Sequence, residues 1–268
     1  MSSRVMLWVW FFCCMCAMSY VRGNKLVLGS TQSGKSWGEI PSILDAADDG
    51  VGICVLDPHE KSLAWNVLGH LLARGHKQRI LCDNLGEEHP LKYRFLVRSR
   101  AQNPMVRAKE NFQQAEQFGE LLLRRREQQS LAVSPQTEEW VLKAVLFLLN
   151  QPLDYSAADL RYALQPGHAK FENFLRACTE PDVTFEFERI ASGEIKPGQY
   201  AAARRLIEGV CGSPSFIVRC GTFFDVGAFL DRGGILLVEG GNVSQPVLQT
   251  ILGSLCMQVI HHVRTRLR

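Results

Sequence analysis

Gly29 and Gly34, with Lys35 and Ser36 directly after the second, restrict what this chain can fold into more than any other feature. The run Gly29-Ser30-Thr31-Gln32-Ser33-Gly34-Lys35-Ser36 fits G-x-x-x-x-G-K-[ST] at every fixed position. Glycine at both ends lets the backbone curl until successive N–H groups point at one place, which makes a cradle for phosphate oxygens. A helix that starts where the loop ends turns its positive N-terminal end on the same place. The context agrees. Lys25-Leu-Val-Leu-Gly29 reads as a short strand entering the loop, and a helix is expected from about Lys35, with Pro41 kinking or shortening it. Four fixed positions recur by accident in about one chain in a hundred of this size, so a chance glycine-rich turn is the weaker reading.

In such a cradle Lys35 would reach the β- and γ-phosphates and the Ser36 hydroxyl would complete a Mg²⁺ shell. ATP and Mg²⁺ are therefore the expected ligands, bound by Gly29, Ser30, Thr31, Gln32, Ser33, Gly34, Lys35 and Ser36. Hydrolysis also needs an acid to hold the metal and an acid to orient water. Asp57 ends the apolar run Gly52-Ile-Cys-Val-Leu-Asp57 and is a candidate for both metal binding and catalysis; the plain alternative is a turn former before Pro58. His59 reads as a loop histidine. Glu239 ends Ile235-Leu-Leu-Val-Glu239 and is the second catalytic candidate, the alternative being a polar residue closing a buried strand.

Those apolar runs have the pattern of parallel strands covered on both faces. With a helix expected over 62–74, capped by Gly75, and a strand over 79–82, the early chain alternates strand and helix. That order predicts an α/β fold with a parallel sheet. From 105 to 209 the strand pattern disappears. Helices are expected over 105–129, 137–150, 169–178 and 201–209, with Ser156-Ala-Ala-Asp159 as a capping box. The resulting organisation is a hydrophobic leader at 1–24, a core over 25–104, an all-helical insertion over 105–209, and the core resumed over 210–268.

Composition narrows the class. Of 268 residues 46% are hydrophobic and 21% charged, which excludes disorder, collagen-like repeats and a small disulfide scaffold. Nine cysteines, odd in number, suggest reduced thiols and a cytoplasmic setting. A net charge of +3 is too small to argue for nucleic acid by itself. Locally, Arg94, Arg98, Arg100, Arg107, Lys109, Arg124, Arg125 and Arg126 stand against Glu110, Glu116, Glu120 and Glu127, and Arg264, Arg266 and Arg268 add a basic tail. Such runs fit contact with DNA phosphates or a solvated helix face. The mainly apolar run of 17 residues from Val5 to Val21 is short for a membrane span, and reads as an anchor at the inner face of a membrane, a buried segment, or a product of a misassigned start.

Together, the phosphate loop, the strand ending Val-Leu-Asp57-Pro-His59, the helical insertion and the Gly-Gly-Ile-Leu-Leu-Val-Glu239 strand with its long helix resemble the HerA–FtsK superfamily of P-loop NTPases. The similarity is to the coupling ATPases of conjugation and type IV secretion, over about residues 25–268. The resemblance implies a RecA-like core, hexameric homo-oligomers, and ATP-driven movement of DNA or protein. In that family a Walker B strand ending Asp-Glu follows the long helix, so the expectation is the N-terminal part of such a motor, turning ATP over poorly by itself. Two other readings stay open: a non-hydrolysing nucleotide-binding module that needs a partner chain, and a different P-loop enzyme such as a kinase.

Overall fold

The computed structural model describes residues 5–9, 18–21, 24–27, 35–58, 63–87, 91–128, 133–217 and 223–266. In chain order, β1 (Val5–Val9), β2 (Met18–Val21) and β3 (Asn24–Val27) are followed by α1 (Lys35–Asp48), β4 (Gly52–Asp57), α2 (Leu63–Ala73) and β5 (Ile80–Asn84). Then come α3 (Pro104–Gln128), α4 (Pro135–Leu149), α5 (Ala169–Ala177), α6 (Pro181–Ala191), α7 (Pro197–Cys211) and α8 (Pro214–Ile217). After these stand α9 (Val226–Asp231), β6 (Ile235–Glu239) and α10 (Gln245–Arg266). The chain divides into two compact units: Met1–Tyr93 with Phe223–Arg268, and Arg94–Thr222.

The first unit is α/β. Its sheet has the order β1-β4-β6-β5 with every pair parallel. All residues of β4 and β6 are buried, as their unbroken apolar sequences demand. Ile53, Val55, Ile235 and Leu237 pack with Ile40, Ile43 and Ala47 of α1 and Val67 and Leu71 of α2 in one apolar cluster. The pleat turns Cys54 to the opposite face, where it neighbours Cys256 of α10. Burial pushes the Cys256 thiol up to about 12, so both cysteines serve as small protonated hydrophobes.

Three expectations change here. The strand entering the phosphate loop is not a ladder member of the parallel sheet: β3 pairs antiparallel with β2, and β1 occupies the place beside β4. The physical reason is visible in sequence, because Val5-Met-Leu-Trp-Val9 is apolar throughout whereas Asn24 and Lys25 open β3 with polar side chains. The leader is thus strand at 5–9 and 18–21, and among the described residues no helix is long and apolar enough to cross a membrane. Finally, Pro41 does not shorten α1, which spans 14 residues. Proline is exposed at that position while Ile40, Ile43, Leu44, Ala46 and Ala47 anchor the other side, so packing outweighs the lost backbone bond.

At the amino edge of the sheet Arg79 fastens three segments. Its guanidinium donates to the carbonyls of Ala47 (2.6 Å), Val51 (2.9 Å) and Gly233 (2.6 Å), tying the end of α1, the turn into β4 and the turn before β6. The sequence places Arg79 inside a strand over 79–82. Instead the strand starts one residue later and continues through Asp83 and Asn84. Asp83 is buried because it accepts from the Leu91 N–H (2.9 Å) and the Tyr93 hydroxyl (2.6 Å).

The second unit is all-helical. Ser134 caps α4 by accepting from the Thr137 N–H, with Pro135 next, and the Ser156–Asp159 capping box forms, although it opens a 3₁₀ turn and not an α-helix. At its centre the Phe147 and Phe187 rings stack at 3.8 Å and 8°, with Phe171, Phe174 and Trp140 around them.

Candidate functional site

Strand register brings three polar side chains to one line. Asp57 on β4 pairs with Glu239 on β6, which pairs with Asn84 on β5, all at the carboxyl ends of parallel strands. In open α/β sheets that edge is where ligands bind. Helix α1 is about 21 Å long at 1.5 Å per residue, close to the roughly 20 Å of six-residue β4. It packs on β4 and leads through the turn at 49–51 into Gly52 at the amino edge. Its first turn, Lys35 and Ser36, therefore lies at the carboxyl edge, with the N-terminal end of its dipole on the side of Asp57 and Glu239.

Helix α2 engages both acids through consecutive residues. Asp57 is 1% exposed and its Oδ2 accepts from the Ala64 N–H at 3.0 Å. Glu239 is 6% exposed and its Oε2 accepts from the Trp65 indole N–H at 3.0 Å, while half of the indole surface is open to solvent. Asp57 is thus more than a turn former: it satisfies a free amide in the first turn of α2. Asp57→Ala is expected to cost about 0.5–2 kcal/mol, the worth of such a cap. Asp57→Asn keeps an acceptor at this place and is expected to keep the parent melting temperature, so thermal melts of D57A and D57N separate the structural role from any metal role. Equal destabilisation by the two would contradict the capping assignment.

The crest beyond the acids is tightly built. The Gly240 N–H donates to the Asp57 carbonyl at 2.8 Å, and a Cβ at Gly240 would lie 2.5 Å from the Pro58 carbonyl oxygen. Gly241 has φ +54 and packs against the Asn84 side chain, which accepts from the Gly86 N–H at 2.9 Å. Cys82, also on β5, has its thiol pushed up by partial burial first and by Glu239 and Glu87 after it, which disfavours the thiolate.

Of the residues expected in the site, Lys35, Asp57 and Glu239 come to the same edge of the sheet. Gly29, Ser30, Thr31, Gln32, Ser33, Gly34 and His59 lie outside the described residues, as do the side chains of Lys35 and Ser36. Sequence reading misses Trp65 and Asn84, because neither stands in a motif and only the register and the α2 entry bring them in. Among the described residues no three His, Cys, Asp or Glu side chains are grouped to hold a metal ion. Part of the basic run is engaged within the helical unit. Arg94 (3.2 Å), Arg98 (3.0 Å) and Arg100 (3.4 Å) converge on Asp154, and Arg98 also donates to the Gln151 carbonyl. These three arginines are ion-paired within their own unit, and Arg100 remains largely exposed. Comparison with known proteins finds no match among family models, curated proteins or solved structures.

Proposed function

We propose that this chain binds ATP with Mg²⁺ through the loop 29–34 and the first turn of α1, as the nucleotide-binding part of a P-loop ATPase. In this reading its sheet is RecA-like, and it is a coupling motor of the HerA–FtsK kind that works on DNA or protein as a homo-oligomeric, hexameric ring. The observation that supports it is the arrival of the first turn of α1, carrying Lys35 and Ser36, at the strand ends that bear Asp57 and Glu239. Backbone N–H groups and the helix dipole would hold the phosphates. Lys35 would neutralise the β- and γ-phosphates, Ser36 and Asp57 would hold Mg²⁺, and Glu239 would orient water.

A second reading has its own support. Asp57 and Glu239 are both engaged by α2, which favours a module that binds nucleotide without hydrolysing it until a partner contributes further acids. Both readings require ATP binding at Lys35. Titration calorimetry of the 268-residue chain is expected to show Mg²⁺-dependent ATP binding that Lys35→Ala weakens about 10- to 100-fold, the worth of a charge-assisted contact to phosphate. Phosphate release is expected to lie far below the ordinary enzyme turnover of about 10 per second. Equal ATP affinity of the parent chain and K35A would remove the proposal.

A further inference from the structure

Arg94, Arg98 and Arg100 are held on Asp154, whereas Arg161 of the same helical unit has no such partner. Arg161 has its Nε buried without a hydrogen-bond acceptor, and among the described residues no carboxylate lies within ion-pair distance of it. Its guanidinium stands over the Tyr162 ring, 4.6 Å from the centroid. The Lys170 Nζ lies over the same ring at 4.7 Å. The His168 imidazole stacks on that ring too, at 4.5 Å and 27°.

The turn that carries His168 is exposed. Gly167 has φ +84 with nothing near the place a Cβ would take, and the His168 Nδ1 caps α5 by accepting from the Lys170 N–H at 3.1 Å. The neighbouring acids already have donors. Asp159 accepts from Lys170 and Ser156, Glu172 from the Gly167 N–H, and Glu208 from Arg204 and Gln165. Arg161 is the member of this group still lacking an acceptor. A half-buried guanidinium stacked on an aromatic ring, with a second cation and an exposed imidazole face alongside, is the equipment that takes a phosphate and a neighbouring planar base.

We propose that Arg161, Tyr162, His168 and Lys170 form a subsite for a nucleotide unit, in which a phosphate accepts from Arg161 and Lys170 while its base stacks on His168. The unit comes either from single-stranded nucleic acid or from a free nucleotide. Its single-strand form rests on the nucleic-acid half of the proposed function, and both forms are independent of the loop 29–34.

The test uses the full chain with fluorescein-labelled oligothymidylate, read by anisotropy between about 50 and 200 mM salt, and with dTMP as the free nucleotide. The pair Arg161→Gln and Lys170→Gln is expected to weaken oligonucleotide binding at least ~10-fold and flatten log K against log salt by about 0.7, the share of the one phosphate they hold together. His168→Asn keeps a good helix cap, and is expected to weaken binding about 5- to 100-fold with the salt slope unchanged, as loss of one stacked base would. Oligonucleotide binding tighter than dTMP identifies the polymer as the source. Equal binding of the two, with the same sensitivity to the variants, identifies the free nucleotide. No binding of either, or losses that follow Arg100→Gln with Arg107→Gln instead, overturns the subsite. Lys35→Ala leaves this binding unaltered, so loss of ATP binding in that variant is read separately.

Discussion

Replacing Phe147 with alanine is expected to destabilise the helical unit by about 3–5 kcal/mol. Its ring is fully buried and lies face to face with Phe187 at 3.8 Å, while Phe171 and Phe174 meet its edges at 6.1 and 6.2 Å. Stiff aromatic neighbours close poorly over the space a benzyl group leaves, so both the transfer loss and the cavity remain. Urea unfolding followed by far-ultraviolet circular dichroism checks this. Phe147→Leu is the informative companion, because leucine refills much of the volume and is expected to recover part of the loss. A midpoint for F147A equal to that of the parent chain would mean that the stacked rings are not the core of this unit.

The second large effect is expected at Gly52, the first residue of β4. A Cβ there would sit 2.1 Å from the carbonyl oxygen of Leu230 and 2.7 Å from its carbonyl carbon. Both are backbone atoms at the end of α9, on the approach to β6, so no side chain can swing aside. Either β4 or α9 must move, and β4 is in ladder register with β1 and β6 on its two sides. Gly52→Ala is expected to cost about 3 kcal/mol or more, the upper part of the range for overfilled cores. A melting temperature within about 2 °C of the parent chain, about 0.5–1 kcal/mol, would contradict the close approach. Because the residue sits at the amino edge, away from Asp57 and Glu239, G52A is expected to act through folding alone.

What can be read from sequence depends on how local the cause is. β4 and β6 announce themselves, because only a strand covered on both faces tolerates such unbroken apolar runs. The Ser156–Asp159 box is equally legible, since its bonds span three residues. Helix α6 is not: it shows Phe185 to solvent and buries Phe187 and Ile190, so its apolar pattern is blurred. The choice of β1 over β3 as neighbour of β4 is a competition between two segments, and no single window of residues contains it. The candidate site divides in the same way. Asp57 and Glu239 stand out as acids ending apolar strands. The tie from Trp65 to Glu239 crosses 174 residues of chain, and nothing around Trp65 marks it.

Ala64 and Trp65 are adjacent in the chain, yet each grips an acid from a different strand. Two neighbouring residues, one through its backbone and one through its indole, thus work as a yoke. Were the start of α2 to tilt or slide, the bonds to Asp57 and Glu239 would both be strained. A ligand that pushes on that helical turn would reach both acids through it.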